Sequence, residues 1–194
     1  MRKLLIIACA LVVALPGLAR AGDAFGVSWN ISLPAGDTAD FTSGLQFRGA
    51  SLEWRNFYKR DTAFGFSGSW NAFNEAFTGT FAAENFAVTG KRWQYVNTVP
   101  LYLTWHKYQA GDRRGKRLYY GLNAGLAYVE KRTTMGLWAF ETSEWHPALA
   151  PEIGLQLPWD AFVGTVSLRY NFAFETGDHD TQQWLELRFG FGMD

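Results

Sequence analysis

Histidine is the residue type through which this sequence could most directly support hydrolytic chemistry, and it occurs at His106, His146 and His179. Nucleophilic hydrolysis needs a serine or an acid held beside a base. Ser143 and Glu144 precede His146, and His179 lies between two aspartates. The sequence contains no HExxH, CxxC or glycine-rich phosphate loop, so it offers no residue set for a metal or a nucleotide. We therefore expect no cofactor and no catalytic residues, and we interpret the histidines as exposed or interfacial.

Six charged residues form the second group that could do chemistry. They fall on the polar side of the alternating patterns described below, and three are acidic and three basic. A charge held away from water needs a partner, and the forked guanidinium of arginine can pair with carboxylates through two hydrogen bonds. The sequence therefore predicts a neutral ion-pair network on the polar side of these patterns. Its members are Glu53, Arg55, Glu152, Arg169, Glu186 and Arg188. A conducting pore and a catalytic carboxylate pair are the alternatives.

The elements that must position these charges are β-strands. Odd positions from Phe25 to Leu33 are apolar, the even ones between them are small or polar, and Pro34 then begins a turn. The same period of two recurs along the chain. The predicted strands cover residues 25–33, 45–58, 62–77, 86–108, 117–131, 142–157, 161–175 and 182–193, with loops over 78–85 and 133–141.

Residues 1–21 differ from the rest of the chain. Arg2 and Lys3 precede an apolar run that ends at Leu15, and small residues stand before Gly22. This arrangement predicts a cleaved secretory signal over 1–21 and a single domain over 22–194. The alternatives are a transmembrane anchor, for which the run is too short, and a lipoprotein modified at Cys9.

Composition excludes one class of partner and favours another. The first 21 residues hold three basic and no acidic residues, so the rest of the chain carries 15 basic and 18 acidic residues, a net charge of −3. A nucleic-acid-binding protein would show a clustered basic excess, so we expect no nucleic-acid partner. Aromatic residues make up 17% of the sequence, which is typical of strands that meet lipid. The densest charge is a basic turn over residues 113–117, which we interpret as solvated.

The orientation of the alternating faces separates a membrane barrel from a soluble, lipocalin-like one. We expect the apolar face to meet lipid at Trp54, Leu101, Leu122, Leu168 and Leu187. Aromatic residues near strand ends predict two interfacial girdles. These are Trp29, Tyr58, Trp93, Trp105, Tyr128, Trp145, Trp159 and Trp184. Eight predicted strands of this kind indicate an all-β, closed, antiparallel transmembrane β-barrel.

The signal, the eight alternating strands and the final segment together resemble the small bacterial outer-membrane barrels of the OmpA, OmpX and OmpW type. The ending of the chain is similar to the signal that such proteins present to the outer-membrane assembly machinery, through Leu187, Phe189 and Phe191. The resemblance implies an outer-membrane location, a monomer, and contact with membrane lipids and lipopolysaccharide.

Three functions are compatible with the resemblance. We favour a non-catalytic barrel with a structural or surface-interaction role. A narrow channel for small or apolar solutes, as in the OmpW-like group, is the first alternative. A lipid A-modifying enzyme is the second, but the serine expected two residues after a catalytic histidine is missing.

Overall fold

The structure, a computed structural model, describes residues 22–83, 86–109, 115–136, 138–159, 162–177 and 180–193. Eight strands and one short helix make up the fold, and the predicted signal at 1–21 lies outside the described residues. The strands are β1 (Asp23–Ala35), β2 (Gly49–Lys59), β3 (Thr62–Ala83), β4 (Phe86–Tyr108), β5 (Arg117–Met135), β6 (Trp138–Trp159), β7 (Phe162–Ala173) and β8 (Gln182–Met193). The helix α1 (Asp37–Phe41) follows β1.

The strands form a closed ring in chain order. Each strand pairs antiparallel with the next, and β1 pairs with β8 from Phe25↔Met193 to Ala35↔Gln183. Closure satisfies the backbone hydrogen bonds of both edge strands, which is the condition for crossing a bilayer with strands. The predicted closed eight-stranded antiparallel barrel is confirmed.

The apolar face of every strand points outwards. The five residues predicted to meet lipid, Trp54, Leu101, Leu122, Leu168 and Leu187, are between 36% and 46% exposed. The intervening polar side chains are buried inside the ring. A lipocalin-like protein would show the opposite arrangement, so that alternative is wrong. Among the described residues, no helix has the length and hydropathy that a membrane span requires.

One half of the barrel is much taller than the other. The strands β3 to β6 have 19 to 23 residues, whereas the other four have 11 to 13. The loops predicted over 78–85 and 133–141 are therefore wrong in large part, because β3–β4 pairing continues to Ala83↔Phe86 and β5–β6 pairing to Met135↔Trp138. We call this end of the barrel the hairpin end, and the end that holds Asp23 and Met193 the terminal end.

The helix α1 lies at the hairpin end, on the short side of the barrel. The Oγ1 atom of Thr38 donates to Gln182 Oε1 at 3.0 Å and accepts from the backbone N–H of Gln183 at 2.9 Å. These bonds attach the first connection to β8 and bring Phe41 against the apolar side chains of the lumen. The sequence predicted only a turn here, because five residues are too few for a helical period to be seen.

Candidate functional site

The lumen is the candidate site, and its side chains form three layers. The lower layer, at the terminal end, contains Phe57, Tyr108, Arg117 and Tyr119. The middle layer contains the predicted charges together with His106. The upper layer, towards the hairpin end, is apolar and includes Phe73, Val96, Val129 and Trp184. All of these side chains stand at the inward positions of the alternating strands. The interior of an eight-stranded barrel is narrow enough for such side chains to fill it.

Glu152 is the centre of the middle layer. Arg169 donates to its Oε2 atom from Nη2 at 2.7 Å and from Nε at 2.9 Å. Arg188 Nη1 lies 3.2 Å from the same oxygen. All three side chains are buried. Two guanidinium groups therefore share one carboxylate, which compensates a charge that has little access to water.

Arg188 also connects Glu152 to the other side of the ring. Its Nη2 atom lies 3.1 Å from Glu53 Oε2, and Arg55 Nε lies 2.6 Å from Glu53 Oε1. The structure thus brings Glu53, Arg55, Glu152, Arg169 and Arg188 into one connected cluster, in which Arg188 bridges two carboxylates. Within this cluster the charges are two negative and three positive.

Glu186, the sixth predicted member, lies beside this cluster on the same rung as Arg169 and Glu152. It accepts hydrogen bonds from Asn71 Nδ2 at 2.6 Å and Trp184 Nε1 at 2.8 Å. Among the residues that the structure describes, no arginine lies within salt-bridge distance of it. Glu186 therefore balances the charge of the six predicted residues without a direct ion pair, and its bond to Trp184 joins the middle layer to the upper one.

Neutral hydroxyl and amide groups complete the middle layer. Tyr119 Oη donates to Glu152 Oε1 at 2.9 Å and accepts from Arg55 Nη2 at 3.3 Å, and Tyr108 Oη accepts from Arg55 Nη1 at 2.7 Å. Asn123 Nδ2 donates to Glu152 Oε2 at 3.3 Å. These hydroxyl and amide groups were not predicted as members of the network, although their inward positions in the alternation could have identified them.

Gly154 makes space for this hydrogen-bonding arrangement. A Cβ atom at this position would lie 2.6 Å from Tyr119 Oη and 2.5 Å from Tyr119 Cζ. We expect Gly154→Ala to displace the tyrosine from both Arg55 and Glu152 and to lower the free energy of unfolding by about 1–3 kcal/mol. Urea titration of the refolded barrel measures this loss. Gly164→Ala, whose Cβ atom would have no neighbour closer than 3.5 Å, is the control and should leave stability nearly unchanged.

The two described histidines are not exposed or interfacial, so that prediction is wrong for both. His106 is fully buried between the carboxylates of Glu53 and Glu152, with N–O distances of 3.7 and 3.6 Å. His146 is buried near the hairpin end, where its Nδ1 lies 2.8 Å from the carbonyl oxygen of Phe174. His179 lies outside the described residues. His106 shares the polar face of its strand with Tyr102 and Thr104, so the alternation along the strand already directed it inwards, and the prediction of an exposed or interfacial position did not apply that alternation.

Trp184 is the one predicted girdle residue that the structure places inside the lumen. It is fully buried and meets the ring of Phe73 edge-on, with ring centroids 6.4 Å apart. These two residues stand on β8 and β3, so their contact spans the interior of the ring. The prediction relied on the position of Trp184 near a strand end, whereas the alternation along β8 directs it inwards.

Arg117 belongs to the lower layer rather than to a solvated turn. It is buried, donates to Gln156 Oε1 at 2.8 Å and to the carbonyl oxygen of Arg60 at 3.1 Å, and lies 4.6 Å from the ring centroid of Tyr108. Residues 113 and 114 of the predicted basic turn lie outside the described residues. The guanidinium therefore lies inside the barrel near its terminal end.

Two titratable groups outside the bilayer-facing band are perturbed. At the terminal end, hydrogen bonds from Lys107 and Thr62 hold the pKa of Asp61 below its ordinary value. At the hairpin end, partial burial lowers the pKa of Lys131, although Asp180 and Asp37 oppose this shift. Among the described residues, no cluster of histidine, cysteine and acidic side chains could hold a metal ion.

Comparison with known proteins identifies the fold. No protein-family model and no curated protein matches the chain. Among solved structures, Neisserial surface protein A matches with a TM-score of 0.56 and 11% identity over 89% of this chain and 96% of that one. OprG from Pseudomonas aeruginosa gives 0.51 and 10% over 89% and 96%. Ail of Yersinia pestis, in complex with the heparin analogue sucrose octasulfate, gives 0.50 and 17% over 88% and 95%.

The fold is therefore that of the small eight-stranded bacterial outer-membrane β-barrels, as the resemblance in the sequence predicted. At these identities the likeness establishes the architecture and leaves the activity to be argued from the lumen and the surface.

Proposed function

We propose that this chain is a non-catalytic, non-conducting barrel of the bacterial outer membrane, with a structural or surface-interaction role. Residues 1–21 direct export and are removed, and the barrel is formed by 22–194. The terminal end faces the periplasm, and the hairpin end faces the exterior of the cell. The apolar outer face, the polar interior and the likeness to outer-membrane barrels support this location.

The proposal is supported by the three layers of side chains that follow one another along the lumen. The middle layer joins β2, β6, β7 and β8 through ion pairs, and the Phe73–Trp184 contact crosses the upper layer. A cavity of about 40 Å³ at the terminal end is lined by Glu53, Arg55 and Ser28 and has room for roughly three water molecules. We infer that water enters the barrel from the terminal end and reaches no further than the ion pairs of the middle layer.

The part of the barrel that extends beyond the apolar band at the hairpin end supports an interaction role. The long strands β3 to β6 carry polar and charged side chains beyond the apolar band, among them Lys91, Arg132 and Glu141. Ail, which shares the fold, forms a complex with an anionic sugar analogue. We infer that membrane lipids and lipopolysaccharide surround the barrel and that it functions as a monomer.

The last strand supports delivery by the assembly machinery. Leu187, Phe189 and Phe191 occupy alternate positions of β8 and are all exposed on its outward face. An apolar row of this kind, at the end of the chain, is what the resemblance assigns to the assembly signal.

Single-channel recording tests whether the lumen is closed. We expect the refolded barrel in a planar bilayer to give no conductance steps, because ion pairs and apolar side chains block the path. The Phe73→Ala/Trp184→Ala variant removes the two rings that meet across the upper layer and should remain closed, since the middle layer is intact. A porin inserted in the same bilayer is the positive control. Regular conductance steps from the unmodified barrel would overturn this proposal in favour of the narrow channel.

A further inference from the structure

The outward face of β4 and β5 carries a continuous ladder of paired side chains. From the hairpin end downwards, the pairs are Trp93↔Thr134, Tyr95↔Arg132, Asn97↔Glu130, Val99↔Tyr128, Leu101↔Leu126 and Leu103↔Ala124. The first three pairs are polar or aromatic, and the last two are apolar. Val99 and Tyr128 form the single pair between the two regions, so this ladder crosses the outer edge of the apolar band.

The lower part of the ladder forms a groove in the lipid-facing wall. Ala124 is its floor, because its short side chain stands between Leu122 and Leu126 and opposite Leu103. Leu103 is 72% exposed, since it has so little side chain beside it. The groove measures about 440 Å³. Its remaining outward walls are Phe66, Leu101 and Trp145. These dimensions and this lining fit an acyl chain.

The upper part of the ladder forms a second depression, of about 370 Å³, in polar surroundings. It is lined by Trp93, Tyr95, Asn97, Glu130, Arg132 and Thr134. The rings of Trp93 and Tyr95 are nearly parallel, at 11° and with centroids 6.4 Å apart, and Lys91 Nζ lies 4.1 Å from the Trp93 centroid. We call this depression the upper pocket and the apolar one the lower groove.

The chemistry of the upper pocket fits a phosphorylated sugar. The aromatic rings offer an apolar surface for the C–H face of a sugar ring, and Asn97, Glu130 and Thr134 offer hydrogen-bonding groups for its hydroxyls. Arg132 is exposed and stands opposite Glu141 in the β5–β6 pairing, but no salt bridge within 4 Å joins it to a carboxylate among the described residues, so its guanidinium can turn to a phosphate. The carboxylate of Glu130 opposes a bare phosphate but suits a hydroxyl-rich ligand.

The height of the upper pocket distinguishes between classes of lipid. A strand rises about 3.4 Å per residue and tilts by about 40°, so Arg132 lies about 10 Å and Trp93 about 16 Å beyond the Val99–Tyr128 pair. A phospholipid headgroup layer is only about 5–7 Å thick. The long side chain of Arg132 can reach down to a phosphate at the headgroup level. A phospholipid whose chain lies in the lower groove would nevertheless end well below Trp93, whereas a glycolipid with several sugars would reach it.

We propose that the upper pocket and the lower groove together bind one molecule of a phosphorylated glycolipid of the outer leaflet. One acyl chain occupies the lower groove, the phosphate meets Arg132, and the sugars contact Trp93 and Tyr95. The inference rests on the proposed membrane location and adds to it a defined site on one wall of the barrel.

Binding measurements on the refolded barrel test this site. The barrel in detergent micelles is titrated with phosphorylated lipid A that carries core sugars, with phosphatidylglycerol, and with the deacylated glycolipid, and native mass spectrometry counts the bound molecules. We expect one glycolipid per barrel. Arg132→Gln should weaken its binding about ten-fold, because a charge-assisted contact is lost. Ala124→Leu should weaken binding of the intact glycolipid and leave the deacylated form unaffected.

Two matched variants serve as controls. Arg48→Gln removes an exposed cation from the first connection, and Ala50→Leu enlarges an outward residue of β2, so both should leave binding unchanged. Equal affinity for phosphatidylglycerol, or equal losses in Arg132→Gln and Arg48→Gln, would overturn the site. Heat-dependent migration in gels reports folding separately. A barrel that folds without glycolipid selectivity refutes this inference alone, whereas one that folds in neither micelles nor vesicles refutes the proposed function and this inference with it.

Discussion

Replacing Arg169 with methionine should lower the free energy of unfolding of the barrel by about 3–5 kcal/mol, the range found when one partner of a buried ion pair is removed. Arg169 is fully buried, and it donates two hydrogen bonds to Glu152 at 2.7 and 2.9 Å. Without it, Glu152 keeps Arg188, but the lumen gains one uncompensated negative charge. Urea titration of the barrel refolded into lipid vesicles, followed by tryptophan fluorescence, measures the loss.

The Glu152→Gln/Arg169→Met double variant should recover much of this loss. The double variant removes one negative and one positive charge, so the charge balance is restored. The glutamine side chain can still accept a hydrogen bond from Tyr119, and Arg188 keeps its ion pair with Glu53, in which Nη2 and Oε2 are 3.1 Å apart. Arg48→Met, at an exposed position, is the matched control and should change stability by less than about 0.5 kcal/mol. If the double variant were as unstable as the two single losses combined, the pairing between Arg169 and Glu152 would not be what stabilises the layer.

Placing arginine at Leu168 should cost about 2–4 kcal/mol, the penalty for a cation on the lipid face near the bilayer midplane. Leu168 is 42% exposed, lies in the middle of β7, and pairs with Ile153 and Leu187 on the outward face. The same vesicle-based urea titration gives the value.

Leu118→Arg is the control for depth. Leu118 is also exposed and outward-facing, but it is the second residue of β5 at the terminal end, where the penalty should fall to about 0–1 kcal/mol. Equal costs at Leu168 and Leu118 would show that the bilayer midplane does not lie across the middle of β7.

Strand faces were predictable from the sequence because lipid on one side and a filled lumen on the other impose a strict period of two. Trp54 and Leu168 are exposed, and Glu53 and Arg169 are buried, as the alternation required. Trp184 shows the limit of a second expectation, that aromatic residues near strand ends lie in the interfacial girdles. Its closeness to a strand end predicted a girdle position, but the period of two determined where its side chain points.

Strand lengths were less predictable, because the outward face needs to be apolar only where it meets lipid. Beyond Val99 and Tyr128 that face carries residues such as Arg132 and Glu141, and the pattern that identifies a strand is lost although the hydrogen bonding continues. The bridge from Glu152 to Glu53 through Arg188 was also hidden, because it joins β6 to β2 on opposite sides of the ring, and the relative depth of these carboxylates depends on the register of the three intervening strands.

The pairing of β1 with β8 has a consequence for the order of folding. The β3–β4 and β5–β6 hairpins join neighbours in sequence and have little loop-closure entropy to overcome, whereas the final seam joins the two ends of the domain. Arg188 lies on β8 and Glu53 on β2, so the contact between them forms only when the seam closes; until then Glu53 is paired with Arg55 alone, and its second carboxylate oxygen stays hydrated. Expulsion of water from the interior is thereby coupled to completion of the ring, and an open sheet cannot dry its polar face and persist in the hydrocarbon.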